Sequence, residues 1–598
     1  MAPSSRSLKV VVFVLLAGLP ALPLVLSVWA GPFTPNGTQP PLAHDMLLPS
    51  DCESCHGNFD NQANIEPYPT WAGSMMANAA RDPIFWAALD VANNDVPGVG
   101  EFCLRCHTPA AWLAGRSEPP GGSTDGCGLL GNLDEADNDF EGVTCHFCHR
   151  MMVNPTPPMG QQTFYKGNAQ FWVDDGDCSG PGSGPCRRGP YDYSVSGDPP
   201  PHEWAFSTYH TGSDICANCH NVTSPAESLI DENGTDTGIP YPIERTHREW
   251  EQSSYSLPGP GFQTCQGCHM PDATETDAFA CIFQSNNRSG NMPVHRFVGG
   301  NTWVPGVLRD EYPNLGRTAS YNATVAWTQD LLQNDSALVA VTGPGAPVMP
   351  GENLAVTVRV TNLTGHKLPT GYPEGRRMWL QVTARDAVGN AFWQSGAYDA
   401  ATGVLTQDPQ IKIYQTERGI WNRNGTNECD FTDGASNPIF HFVLNNCIAL
   451  DNRIPPAGFS GGSDLETRPV GYTYPETAPG SGILVNYDDT TYQIPVPGGL
   501  VAPITIEARL LYQTVSKEYV EFLRDEAVTN NFPDDCISRT TGTPTMSRGE
   551  LLHDIWTRRG RAAPTPMVLG STVVQLDNDL FADGFESGNT SAWTVVFP

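Results

Sequence analysis

Ten of the seventeen cysteines stand in five copies of one pattern, Cys-x-x-Cys-His. The copies are Cys52, Cys55 and His56; Cys103, Cys106 and His107; Cys145, Cys148 and His149; Cys216, Cys219 and His220; and Cys265, Cys268 and His269. The composition would yield about 0.01 such copies by chance, so the repetition is itself the signal. Two thiols with this spacing sit on one side of a helical turn, where each can form a thioether with one vinyl group of the same haem. The histidine that follows is then placed under the iron as proximal ligand. A zinc site needs no histidine directly after every second cysteine, and a thioredoxin-like pair would occur once, within a strand–helix–strand pattern not seen here. The chemistry expected is electron transfer at five covalently held haem c groups.

Nine further histidines are available as sixth ligands: His44, His146, His202, His210, His247, His295, His366, His441 and His553. They suffice to give every iron a second imidazole, which closes the site to substrate and suits electron transfer. A repeat, Trp-x-x-Ser, narrows the choice. Trp71 and Ser74, Trp204 and Ser207, and Trp250 and Ser253 each precede a Cys-x-x-Cys-His. The segment resembles one that many multihaem cytochromes place before a haem, with a ligand shortly after the Ser; His210 fits that role, whereas the third copy has its spare histidine, His247, before the Trp. In the first copy Met75 or Met76 stands where a histidine is expected, so one haem is either His/Met-ligated or without a sixth ligand. The candidate distal set is His44, His146, His202, His210, His247, His295, His366 and Met76. A surface or hydrogen-bonded side chain is the alternative for each, and aromatic packing on a haem face is the alternative for the three tryptophans.

The segments 71–86 (WAGSMMANAARDPIFW), 142–150 (GVTCHFCHR), 209–222 (YHTGSDICANCHNV), 265–271 (CQGCHMP) and 292–300 (MPVHRFVGG) extend these motifs. Together they resemble bacterial multihaem c-type cytochromes of the broad group related to hydroxylamine oxidoreductase and pentahaem nitrite reductase. The resemblance covers roughly residues 44–300. It implies electron transfer through closely stacked haems, and it suggests His295 as a distal ligand. The chain departs from the nitrite reductases in having no Cys-x-x-Cys-Lys, and it shows no clear tyrosine cross-link signature of the oxidoreductases. Electron transfer is therefore favoured over catalysis. One alternative is an oxidoreductase acting on a small nitrogen or sulfur compound at an open haem; another is a subunit of an extracellular cytochrome filament or other homo-oligomer.

The elements that must position these residues are read from the rest of the chain. At 598 residues two or three domains are expected. Glycine and proline are abundant, at 59 and 53 residues, which points to long ordered loops with short helices. Residues 31–300 then hold too little regular core for five separate domains, and the haem plates supply the missing apolar surface. A net charge of −32 argues against nucleic acid and anionic membranes as partners. It keeps an exported protein soluble and suits docking of a basic redox partner protein.

Arg6 and Lys9 precede an apolar run over 10–28, with small residues at Val28 and Ala30 for cleavage after Ala30. Residues 1–30 are thus expected to be a signal peptide for a periplasmic or extracellular bacterial protein, an uncleaved anchor being the alternative. Export makes disulfides plausible. Cys178 with Cys186 and Cys429 with Cys447 close short loops, which leaves Cys127, Cys281 and Cys536 unassigned. The acidic run 134–141 offers oxygen ligands to calcium but lacks the spacing of a calcium loop, and a solvated loop is the better expectation.

Past residue 300 the motifs stop. Residues 354–361, 378–385 and 504–511 alternate as strands, and 548–558 reads as a helix. The fold class expected is α+β and multidomain: a loop-rich multihaem cytochrome domain with short helices over 31–300, a connecting segment over 301–350, and an immunoglobulin-like β-sandwich over 351–576. A tail follows over 577–598. Between two of the strands, His366 lies in the turn 361–371, where it either ligates a haem of the first domain or caps backbone groups.

Overall fold

The computed structural model describes residues 42–59, 64–119, 121–153 and 166–577. The expected leader, 1–30, lies outside the described residues, as does the tail beyond Asp577. The chain is α+β, with many short helices and several small sheets. Among the described residues no helix is long and apolar enough to cross a membrane.

Each Cys-x-x-Cys-His stands on or beside a short helix: α1 (Pro49–His56), α3 (Gly100–His107), α4 (Cys145–Arg150), α5 (Asp214–Ala217) and α6 (Cys265–His269). Helix α2 (Pro83–Asp95) lies between the first two. The hydroxyls of Thr144 and Thr264 cap α4 and α6 by accepting from Phe147 N and Gly267 N. Helices of four to eight residues are unstable alone, so these depend on packing and on whatever fills the space between them. Between α5 and α6 runs a hairpin of β1 (Val222–Ile230) and β2 (Asp236–Glu244), interrupted by three register shifts.

Two of the antiparallel sheets in the C-terminal half share a core. Strands β3 (Ala337–Thr342), β4 (Asn353–Asn362), β5 (Arg377–Arg385), β6 (Ala391–Ser395), β7 (Lys412–Tyr414), β8 (Tyr487–Pro495), β9 (Ile504–Gln513) and β10 (Thr565–Val574) build them. One sheet has the order β8-β4-β3; the other has the order β6-β5-β9-β10, with β7 also on β5. Leu354, Val356, Val358 and Val360 of β4 alternate inward. They share one core with Met378, Leu380 and Val382 of β5 and with Ile504, Ile506, Ala508 and Leu510 of β9. The two sheets therefore pack face to face. Within the expected connecting segment 301–350, residues 329–342 are the end of α8 (Thr318–Asp330), a π-helical turn and then β3.

A second core crosses residue 300. Trp86, Leu89 and Val91 of α2 pack with Val304, Val307 and Leu308 of α7 (Trp303–Glu311), with Tyr519, Val520 and Leu523 of α9 (Lys517–Thr529) and with Leu552, Ile555 and Trp556 of α10 (Arg548–Arg558). A disulfide, Cys127–Cys536, joins residues 409 apart in sequence across this core. The pairs Cys178–Cys186 and Cys429–Cys447 also form, which leaves Cys281 as a buried thiol outside the motifs.

The acidic run is not gathered for calcium. Glu141 is clamped by Arg81 and Arg317, Asp139 by Arg116, and Asp134 accepts from Thr540 N. Guanidiniums and backbone amides already satisfy these carboxylates. The solvated loop expected is present only at Glu135 and Ala136, which are exposed, while Asp134, Asp139 and Glu141 are buried in these contacts.

Candidate functional site

Four of the five motif histidines share one local arrangement. His56 donates from Nδ1 to the carbonyl of Ala280 at 2.7 Å, His107 to Ala79 at 3.0 Å, His149 to Arg188 at 2.6 Å and His269 to Val298 at 2.6 Å. A carbonyl acceptor fixes the proton on Nδ1 and leaves the Nε2 lone pair free for a metal. The fifth, His220, donates instead to the carboxylate of Glu244 at 3.2 Å.

Charge follows this split. Burial lowers His56 and His149, and it lowers His107 and His269 to about 4, so these rings are neutral at pH 7, as a ligand must be. Burial opposes protonation of His220 too, but the charge and hydrogen bond of Glu244 hold it up at about 9.

Four histidine ring pairs form among the described residues. His56 lies 6.3 Å from His202 between ring centres, His149 lies 5.8 Å from His210 and 6.2 Å from His295, and His269 lies 6.4 Å from His366. Two imidazoles sharing a metal ion through Nε2, with bonds of about 2.0–2.1 Å, have ring centres on the order of 6 Å apart. His202 and His366 also donate from Nδ1 to a backbone carbonyl, those of Glu203 and Lys367, as the motif histidines do. His210 spends both nitrogens, Nδ1 on the Ser207 hydroxyl and Nε2 on the Cys148 carbonyl.

Other expected ligands are placed differently. His44 is held by Asp175 and faces Asp177. His146 is buried, and its Nδ1 accepts from Leu47 N while its Nε2 has no partner. His247 is buried beside Asp214 and Glu251, two carboxylates bridged by the Lys166 ammonium at 2.9 and 3.0 Å. Met75 packs in the same apolar cluster as Cys103, and Met76 in that of Cys106 and Cys148. Neither His107 nor His220 belongs to a histidine ring pair among the described residues; Phe85 stacks on His107 at 3.7 Å.

The sites adjoin one another. The thiols of Cys52 and Cys145 are neighbours, as are those of Cys106 and Cys219 and those of Cys216 and Cys265. Cys148 lies close enough to Cys216 to interact electrostatically with it. The first motif therefore meets the third, and the fourth meets the second, third and fifth. Gly142 helps to hold this arrangement: it sits at φ +60°, and a Cβ there would collide with the Met76 carbonyl.

The donor set fits covalent haem. The half-buried imidazoles of His56, His107, His149 and His269 are neutral with Nε2 free, thiol pairs lie beside them, and buried N–H groups on Arg188, Arg288, Arg296, Arg376 and Arg418 have no protein partner and suit propionate carboxylates. Sequence reasoning missed Glu244, because it sought ligands and not the groups that hold them.

No protein-family model and no curated protein matches the chain. Among solved structures it is similar to a penta-heme cytochrome c552 from Thermochromatium tepidum, with 17% sequence identity and a TM-score of 0.44 over 88% of this chain and 99% of that one.

Proposed function

We propose that this chain is an exported pentahaem c-type cytochrome that carries electrons through a connected array of covalent haems. The observation that carries the reading is the joining of five Cys-x-x-Cys-His sites into one contiguous set through Cys52–Cys145, Cys148–Cys216, Cys106–Cys219 and Cys216–Cys265. When bound, each haem supplies an iron that takes up and releases one electron. His56, His107, His149, His220 and His269 would be the proximal ligands, and the ten motif cysteines would carry the thioethers. His202 would face His56 and His366 would face His269. His295 would face His149, since His210 is occupied at both nitrogens.

Export is supported by the leader-like N-terminus and by three disulfides, which belong to an oxidising compartment. The acidic surface would receive a basic redox protein. We read the two facing sheets as an immunoglobulin-like sandwich whose turn at His366 completes the fifth haem site.

A second reading is favoured by one observation, the lack of a paired imidazole at His107. A haem there would be His/Met-ligated through Met75 or Met76, or open to a small nitrogen or sulfur compound.

The test is intact mass of the matured protein under denaturing conditions. Five haems are expected to stay attached; three or fewer would overturn the proposal.

A further inference from the structure

The proximal histidines are held alike at four sites and differently at the fourth motif. The chain leaves His220 directly into β1 and returns along β2, whose last residue is Glu244. The register pairs Val222 with Glu244, which places the carboxylate beside a histidine only two residues from that pair.

The hairpin is itself anchored to the C-terminal half. Arg418 donates to the carbonyls of Pro242 and Ile243 at 2.8 and 2.6 Å, and the Tyr241 hydroxyl donates to Cys447 O. Glu244 Oε1 also accepts from the Thr246 hydroxyl at 3.0 Å, whose oxygen lies 2.9 Å from that of Thr370. Thr370 in turn donates to Glu249, which pairs with Arg453. The carboxylate is 16% exposed and held from both sides.

We propose that Glu244 is a positioning residue that tunes the metal centre at Cys216, Cys219 and His220, making this imidazole the strongest electron donor of the five proximal ligands. The proposal rests on the reading of the five motifs as haem sites. A carboxylate draws the Nδ1 proton more strongly than a carbonyl does, which moves electron density toward Nε2 and raises ligand basicity. A stronger donor favours the ferric over the ferrous ion, so this centre accepts an electron at a lower potential than a carbonyl-held histidine would set. Its position gives the effect a consequence. The thiols of the fourth motif adjoin those of the second, third and fifth. Electrons that pass through the fourth site meet a centre whose reduction Glu244 opposes.

The test uses the full haem-loaded chain and the variants Glu244→Gln and Glu244→Asp. Potentials are read by redox titration followed by absorbance and electron paramagnetic resonance. In Glu244→Gln one of five components is expected to move to higher potential with a change in one low-spin signal, while Glu244→Asp stays near the wild type. Five unchanged components, or a common drift of all five, would overturn the proposal. Peptide mapping of the wild type separates the two layers of argument: unmodified Cys216 and Cys219 would sink the haem reading itself, whatever the titration shows.

Discussion

Glu141 is the site at which packing, charge and pH dependence can be tested together. Its carboxylate is 1% exposed and lies between two buried guanidiniums, 2.8 Å from Arg81 Nη2 and 2.6 Å from Arg317 Nη2. Arg81 also donates to the Leu133 and Glu135 carbonyls, and Arg317 stands at the start of α8, so Glu141 ties the loop before the third motif to the helix past residue 300. Burial works against its ionisation, but the two arginines win and hold it at about 2, from an ordinary value of 4.5. Because the folded value is depressed, the carboxylate stabilises the fold fully above about 4.5 and loses that contribution as pH falls through about 2. The separation corresponds to about 3 kcal/mol at pH 7, in line with the roughly 3–5 kcal/mol lost when one partner of a buried ion pair is removed. Glu141→Gln keeps the shape and removes the charge. Denaturant titration of the haem-loaded protein by far-ultraviolet circular dichroism should find the variant about 3 kcal/mol less stable at pH 7. The gap between variant and wild type should narrow as pH falls below 4.5, where the unfolded wild type takes up its proton, and close only as the folded carboxyl is protonated near 2. A gap under about 1 kcal/mol at pH 7, or one equally large at pH 7 and pH 2, would refute the reasoning.

Two further outcomes concern the sixth ligands. His366→Ala removes the ring paired with His269 and should convert one haem of five from low to high spin, with the other four spectra unchanged by absorbance and magnetic resonance; an unaltered spectrum would leave His366 as a turn residue. Carbon monoxide added to the reduced protein should perturb at most two haems, those on His107 and His220, and binding at three or more would overturn the pairing of His202, His295 and His366 with the other irons.

Much of the local structure was legible because it is written locally. The alternation of 354–361 marked β4, the apolar periodicity of 548–558 marked α10, and the short loops closed by Cys178–Cys186 and Cys429–Cys447 were visible from spacing alone. Helix α9 had signals of the same kind, with Ser516 capping it and Tyr519, Val520, Leu523 and Ala527 at helical spacing, and reading for strands passed over it. Cys127–Cys536 had no such signal. Its partners are 409 residues apart, and only the packing of α2 against α9 and α10 brings them together. The same packing carries the second core past residue 300, where the composition changes but the contacts do not stop.

The β1–β2 hairpin shows why the rest stayed hidden. Pro225, Pro240 and Pro242 lie in its strands, and three register shifts break the period-two pattern by which a strand is recognised. Without the hairpin, Glu244 is one acid among many in a chain of net charge −32. A Cys-x-x-Cys-His motif specifies the atoms that meet the haem, because those atoms are close in sequence. The group that accepts the Nδ1 proton is supplied from elsewhere: Ala280 for His56, Ala79 for His107, Arg188 for His149, Val298 for His269 and Glu244 for His220. Five copies of one motif can therefore differ in electron-donating power with no difference in the motif itself. That difference is set by chain crossings 24 to 224 residues away in sequence, and it becomes readable only once the register of the surrounding structure is known.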